Sequence, residues 1–390
     1  MTMAMPALYA RNYAEAREAS PELADAYVEH TVTGDPLAEA AIDALAASGP
    51  AGSARIIEAA MNEDHQGMRE APDQVREFFS ALDSCPFEFD PALALKGSRA
   101  FYKYSDLFFV GLVLESLITG LTEELSKPFY ITGRTAGNLR RVRQNTRHMV
   151  DVTLPGGLSR GGDGWKLTVR IRLVHAQLRR LLLDSGDWDV ATEGIPLHMA
   201  HMSLAATGFS AANLQAVRKL GVQLTDEESA GFMHLWRHVT WLLGVPESLL
   251  FSTEAEAAQV RQIAHLFESP PGSKAIAVAH GYIKTVPELI GIAKPAKQRR
   301  MLSALFRTSR ALIGDELADA LDYPKQSTTG ALAFVRMQRR TQMLRARITP
   351  GASSHQFNNF VGMMQRSVYD DVGISYRLPD AVKDTESSDW

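Results

Sequence analysis

The chain of 390 residues contains a single cysteine, Cys85. One thiol makes no disulfide within the chain, and four-cysteine iron–sulfur or zinc sites are excluded. Positive charge is not in excess either. Lys and Arg number 41 against 45 Asp and Glu, a net charge of −4 at pH 7, so there is no basic field for nucleic acid. Long hydrophobic runs are also missing. The greasiest stretch, FFVGLVLESLIT at 108–119, is too short to cross a bilayer and carries Glu115, so it reads as a buried helix and there is no membrane span. The opening MTMAMPALYARNYAEAREAS has no basic region leading into an apolar core and no twin arginine, which points to a cytoplasmic, soluble protein. Strand-type alternation is scarce, with VDVTL at 150–154 the best candidate. No G-x-S-x-G is present, and Cys85 has no local signature of a nucleophile. The glycines of PGGLSRGGDG at 155–164 lack the lysine and Ser/Thr of a phosphate loop, and no clear strand precedes them.

What the chain does have is helical periodicity. Hydrophobic residues make up 45%, and the mean hydropathy of −0.13 fits a soluble globular protein with ample core. Gly34-Asp35-Pro36 reads as a helix start, with Asp35 as cap and Pro36 at the first helical position. Further helices are expected at 38–47, 53–61, 73–82, 132–152, 165–183, 198–206, 211–220, 226–243, 255–266, 273–281, 299–321 and 330–345. No internal repeat is present. The fold class is therefore all-α. The expected organisation is an N-terminal helical extension at 1–30, one large domain at 31–345, and a C-terminal extension at 346–390 whose polar, acidic tail after Arg377 reads as disordered.

The most informative segment is WKLTVRIRLVHAQLRRLLL at 165–183. At about 100° per residue, Leu167, Ile171, Val174, Leu178 and Leu182 fall on one arc. His175 stands at the edge of that arc, with Arg172 three before it and Arg179 four after it. An imidazole between two guanidiniums on a greasy helix suits haem, which offers an iron, an apolar macrocycle and two carboxylates. The competing reading is an ordinary hydrogen-bonded core histidine with solvated arginines.

Two other histidine pairs carry less. His198 and His201 have metal-ligand spacing, but no carboxylate or cysteine lies at ligand spacing beside them, which favours helix packing. His234 and His238 have the spacing of a zinc-protease helix, yet Leu235 stands where that motif needs a glutamate.

Taken in order, the segments resemble the family of latex-clearing proteins (rubber oxygenases) and MpaB-type oxygenases. The matching pieces are GDPLAEA at 34–40, TGR at 132–134, the basic helix running to Thr146, PGG at 155–157 and RIRLVHAQLR at 170–179. WDVATEGIPLHMAHM at 188–202, LGVQLTDEE at 220–228 and W–LLGVP at 241–246 complete the set. The resemblance implies a mainly helical, globin-like core holding one haem b. His175 would be the proximal iron ligand, Arg172 and Arg179 the propionate-side arginines, and Arg307 or Arg310 a later arginine approaching the haem. No C-x-x-C-H occurs, so the haem would be held non-covalently.

The family oxidises or cleaves olefinic substrates with O₂. Here Asn145 precedes Thr146 where rubber-cleaving members carry a lysine, and Val142, flanked by Arg141 and Arg143, stands where they carry an arginine. Glu123 and Glu124 lie in the region of a distal glutamate without matching its position. The resemblance thus points to an O₂-using, haem b-dependent oxygenase for an unsaturated, largely apolar, isoprenoid-like small molecule. Thr146, Asn145, Arg143 and Arg141 are the candidate distal groups, and 108–119 is a candidate channel wall or plain core. The alternative is a haem-binding or gas- or redox-sensing protein without turnover.

Overall fold

A computed structural model describes residues 5–133, 139–348, 360–362, 364–365 and 375–383, without the side chains of 140–141 and 342–348. The described residues are helical, with no strand among them. The strand candidate at 150–154 is instead the end of the Leu139–Thr153 helix, because Val150 and Val152 are both buried against the helical core. That helix is described from Leu139 rather than Thr132, whose hydroxyl donates to Pro128 O at the end of the preceding Glu123–Ile131 helix. Arg134 to Asn138, part of the expected basic helix, lie outside the described residues.

The Asp163–Asp184 helix runs through the middle of the fold. It packs against Leu139–Thr153, Pro36–Ala46 and Asp226–Leu242. The glycine-rich segment before it makes the tight turn that returns the chain onto the Leu139–Thr153 helix. A Cβ on Gly157 would sit 2.0 Å from Asp151 O, so only glycine lets the turn close this tightly. A second close approach joins Pro91–Gly111 to Asp226–Leu242, where a Cβ on Gly97 would lie 2.4 Å from Phe232 N.

The greasy stretch at 108–119 is buried, as its composition implies, but it is not one regular helix. The α-helix ends at Gly111, a π-helical turn covers Leu112–Ser116, and a 3-10 turn covers Ile118–Gly120. The chain then bends by 110° into Glu123–Ile131. No single described helix is long and apolar enough to cross a membrane.

The terminal segments belong to the core more closely than composition suggests. Tyr9 and Tyr27 are fully buried in the same apolar cluster as Val174, Leu178 and Leu182. At the other end, 375–383 lies along the central helix, where Gln177 Nε2 donates to Pro379 O at 2.9 Å and Leu378 packs against the core. The first residues of the tail after Arg377 thus make contacts with the core. Its remainder, 384–390, lies outside the described residues. The 299–321 segment also divides, into Pro295–Ile313 and Asp315–Ala320, at Gly314 with φ +88°.

One buried group gives the fold a pH dependence. The His238 ring sits 4.6 Å from Phe89 and 5.2 Å from Trp241, centroid to centroid. Burial, reinforced by His234, lowers its pKa to about 4. The unfolded chain takes up this proton below its ordinary pKa near 6.5, whereas the folded chain refuses it until about 4. This contribution is complete at pH 7 and shrinks as the pH falls between those values. It amounts to about 3.5 kcal/mol at ~1.4 kcal/mol per pH unit. Urea unfolding of wild type and His238→Phe at pH 7 and pH 4.5 should show a smaller loss in the variant. Equal losses would show that His238 does not couple to stability.

Candidate active site

A cavity runs along one face of the central helix and encloses about 1580 Å³ of space not filled by atoms, including its open mouth. From Asp163–Asp184 it is lined by Leu167, Arg170, Ile171, Val174, His175 and Leu178. These positions form one arc at helical spacing. The Leu139–Thr153 helix contributes the adjacent Gln144 and Asn145 and, one turn on, His148. The bulged 112–120 segment contributes Ser116, Leu117 and Gly120, and Met199–Phe209 contributes Met202, Gly208 and Phe209. Trp236 reaches the same space from Asp226–Leu242. The wall is mostly aliphatic and aromatic, interrupted by two imidazoles, two amides, one guanidinium and the hydroxyl residues Ser116, Thr132 and Tyr282, the usual make-up of a small-molecule site.

The structure separates the expected site residues. His175 lines the cavity, and so does Asn145. Arg172 and Arg179 lie on another side of the helix, and both are engaged within the chain. Arg172 Nη2 donates to Asp35 Oδ1 at 2.9 Å, and its guanidinium covers the Phe78 ring. Arg179 Nη1 donates to Glu39 Oε1 at 2.7 Å, while its other nitrogens donate to the carbonyls of Pro196 and Leu197. Both guanidiniums thus have partners within the chain. They fasten the helix to the start of Pro36–Ala46, where Asp35 also accepts from Ala38 N as the cap.

Thr146 is buried, but its hydroxyl donates back to Val142 O at 2.8 Å, and it does not line the cavity. Arg143 does not line it either. Arg141 lies on the same helix, but its side chain is outside the described residues. Arg310 is buried against Asp315, Asp319 and Tyr323 O, and Arg307 is exposed with Nη2 donating to Thr329 O. Neither contributes to the cavity.

Sequence reasoning missed much of the lining, including Arg170, Gln144, His148 and Trp236. Arg170 was legible, since it lies on the same arc as Val174 and Leu178, four and eight residues on. Gln144, His148 and Trp236 carry no motif of their own. His148 Nε2 lies 2.8 Å from Thr168 Oγ1, whose own proton is donated to Gly164 O at 2.6 Å. Thr168 must therefore accept, which places a proton on His148 Nε2.

Behind the cavity wall, residues from four distant segments meet on one carboxylate. Glu268 Oε1 accepts from Tyr27 Oη at 2.8 Å, from Tyr9 Oη at 3.3 Å and from His201 Nε2 at 2.9 Å, while Thr122 Oγ1 donates to Oε2 at 3.3 Å. Burial pushes this carboxyl up. The His201 imidazole and the bonds from His201, Tyr27 and Tyr9 outweigh it and hold Glu268 below the usual carboxylate range. Nothing near His198 or His201 in sequence announces this partner.

His198, His201 and Glu268 bring three ligand-type atoms within 4.8 Å of one another. The chemistry of His198 nevertheless opposes a metal there. Its Nδ1 accepts from His201 N at 3.1 Å as the cap of Met199–Phe209. Burial, then the neighbouring His201, holds its pKa well below the ordinary value, so the ring is neutral. Its one proton is then on Nε2, facing Tyr9 Oη at 3.0 Å, and that nitrogen has no lone pair for an ion. The cluster is a hydrogen-bonded tie between the N-terminal helices and the core.

The family model described as "ER-bound oxygenase mpaB/B′/Rubber oxygenase, catalytic domain" matches residues 102–346. The chain belongs to this family. Among its relatives is the rubber oxygenase of Streptomyces sp. (strain K30), 24% identical over 263 residues, which span 65% of this chain and 62% of that protein. The fold is that of the latex clearing protein LCP in its closed state, with a TM-score of 0.64 and 20% identity over 90% of this chain and 95% of that one.

Glu268→Ala removes the acceptor shared by Tyr9, Tyr27, Thr122 and His201. It should cost roughly 3–5 kcal/mol in chemical denaturation, as expected when one partner of a buried pair is deleted. A metal chelator should leave the wild-type melting temperature unchanged. A chelator-induced drop restored by zinc would show that the cluster holds an ion.

Proposed function

We propose that this chain is a haem b-dependent oxygenase that uses O₂ to oxidise or cleave an unsaturated, largely apolar, isoprenoid-like small molecule. The observation that carries this reading is the cavity itself, an apolar space with His175 and Arg170 on one wall and Asn145 and His148 on the facing helix. Its donor set fits haem: an imidazole for the iron, aliphatic side chains for the macrocycle, and a guanidinium for a carboxylate. Membership of an oxygenase family supports the same reading.

In this proposal His175 would hold the iron and Arg170, which lines the cavity, would pair with a propionate. When bound, haem supplies the ferrous iron at which O₂ is activated. Asn145 donates an amide N–H to an oxygen atom held in the cavity. His148, held by its Nε2 against Thr168, lines the cavity beside Asn145 and presents a polar edge to the substrate. Leu167, Val174, Leu178 and Phe209 exclude water and hold the apolar substrate.

Purified protein reconstituted with haem should show a Soret band at about one haem per chain, extractable without covalent attachment. His175→Ala should abolish that band while leaving the circular dichroism unchanged. A native band in His175→Ala would refute the ligand assignment.

Arg170→Leu should release haem roughly 10-fold faster or more, since a charge-assisted hydrogen bond contributes about 1.5–3 kcal/mol. Transfer to apomyoglobin measures this, and an unchanged rate would refute the propionate role. O₂ uptake with a panel of unsaturated lipophilic compounds tests turnover. Absence of uptake from a haem-loaded protein would favour a haem-binding or sensing role.

A further inference from the structure

Trp236 is 1% exposed and lines the cavity. Its Nε1–H has no acceptor among the described residues. The ring cannot easily turn away. It stacks on Phe209 at 5.2 Å with planes 23° apart, and it meets His148 edge to face at 6.0 Å and 89°. Phe232 packs obliquely against it at 6.4 Å. A buried indole N–H almost always finds a partner, since leaving a desolvated donor unpaired is costly. A wall meant only for hydrocarbon would be served equally well by phenylalanine at this position.

We infer that the Trp236 corner of the cavity is a polar subsite, and that the ligand is an apolar chain carrying one hydrogen-bond-accepting oxygen, which Trp236 Nε1–H recognises. This deepens the proposed function by naming a feature of its substrate. It does not require the haem assignment to hold. The bond is neutral and buried, so it should discriminate rather than anchor. The bulk of the affinity comes from the apolar wall, and the oxygen sets which end of the chain enters first.

The test compares two probes with the same fifteen-carbon isoprenoid skeleton, farnesol and farnesene, binding to the full chain with its haem content measured separately. Wild type should bind farnesol roughly 2- to 12-fold more tightly than farnesene, the range of one neutral hydrogen bond. Trp236→Phe should remove most of that preference while changing farnesene affinity by less than about twofold. If Phe perturbs folding, β-(3-benzothienyl)alanine at position 236 keeps the ring shape and lacks only the N–H.

Equal preference in wild type and variant would overturn the inference. So would a variant that loses haem faster but discriminates normally, because the acceptor would then be a haem carboxylate. A protein without haem that still loses the preference on substitution would support the inference and refute the haem reading. A haem-loaded oxygenase with no such loss would do the reverse.

Discussion

The Arg172–Asp35 ion pair sets the rotation of the central helix, and the cavity depends on that rotation. Both side chains are nearly buried, at 10% and 4% exposure. A buried pair of this kind is weak evidence of net stability, because desolvation offsets much of the attraction. Breaking it would still strand a charge, so alternative rotations of the helix are strongly disfavoured. Arg179 repeats the constraint two turns further along through Glu39. With Arg172 fixed on one side, Arg170 and Val174 lie about 200° around the helix and must face the other way. That other side is the cavity. The same contact draws in the Gly244 turn, where a Cβ would lie 2.5 Å from Asp35 Oδ2. Three separate segments, GDP, RIRLVH and LLGVP, thus meet at one ion pair.

The remaining walls are built by departures from regular structure. An unbroken helix through 91–120 would keep one face toward the core along its whole length. The π-helical turn at Leu112–Ser116 and the 3-10 turn after it shift that register, and the 110° bend follows. As a result Ser116, Leu117 and Gly120 all reach the cavity. Gly208, on a helix facing this segment, leaves room for the close approach, since a Cβ there would lie 3.3 Å from Ser116 O. π-helical turns often occur at functional sites, and here the turn shapes a wall rather than supplying a reactive group.

The Glu268 cluster ties this scaffold to the N-terminal helices. Two tyrosines from the first thirty residues, a histidine and a threonine all point at one carboxylate. The cluster backs directly onto the cavity, because Leu125 and Met202, which line it, belong to the helices that Thr122 and His198 cap. Ordering of the N-terminal segment and shape of the cavity are therefore mechanically linked.

The sequence by itself determined the fold class, most helix boundaries and the central helix's apolar arc with His175 at its edge. Those features follow from local periodicity, capping residues and turn-forming glycines, which act within a few residues. It also determined that Asp35 caps its helix, because a cap and its N–H partner are neighbours in the chain. Only the tertiary structure decided which flank of the histidine faces the cavity. Spacing from the histidine singles out Arg172 and Arg179, and what turns them away from the cavity is Asp35 and Glu39, about 140 residues away. Tertiary contacts also decided that His198 and His201 meet Glu268, that His148 and Trp236 share a cavity with His175, and that 378–383 lies against the central helix. In each case the deciding partner is remote in sequence, and no local pattern encodes a contact made by a distant carboxylate, ring or carbonyl.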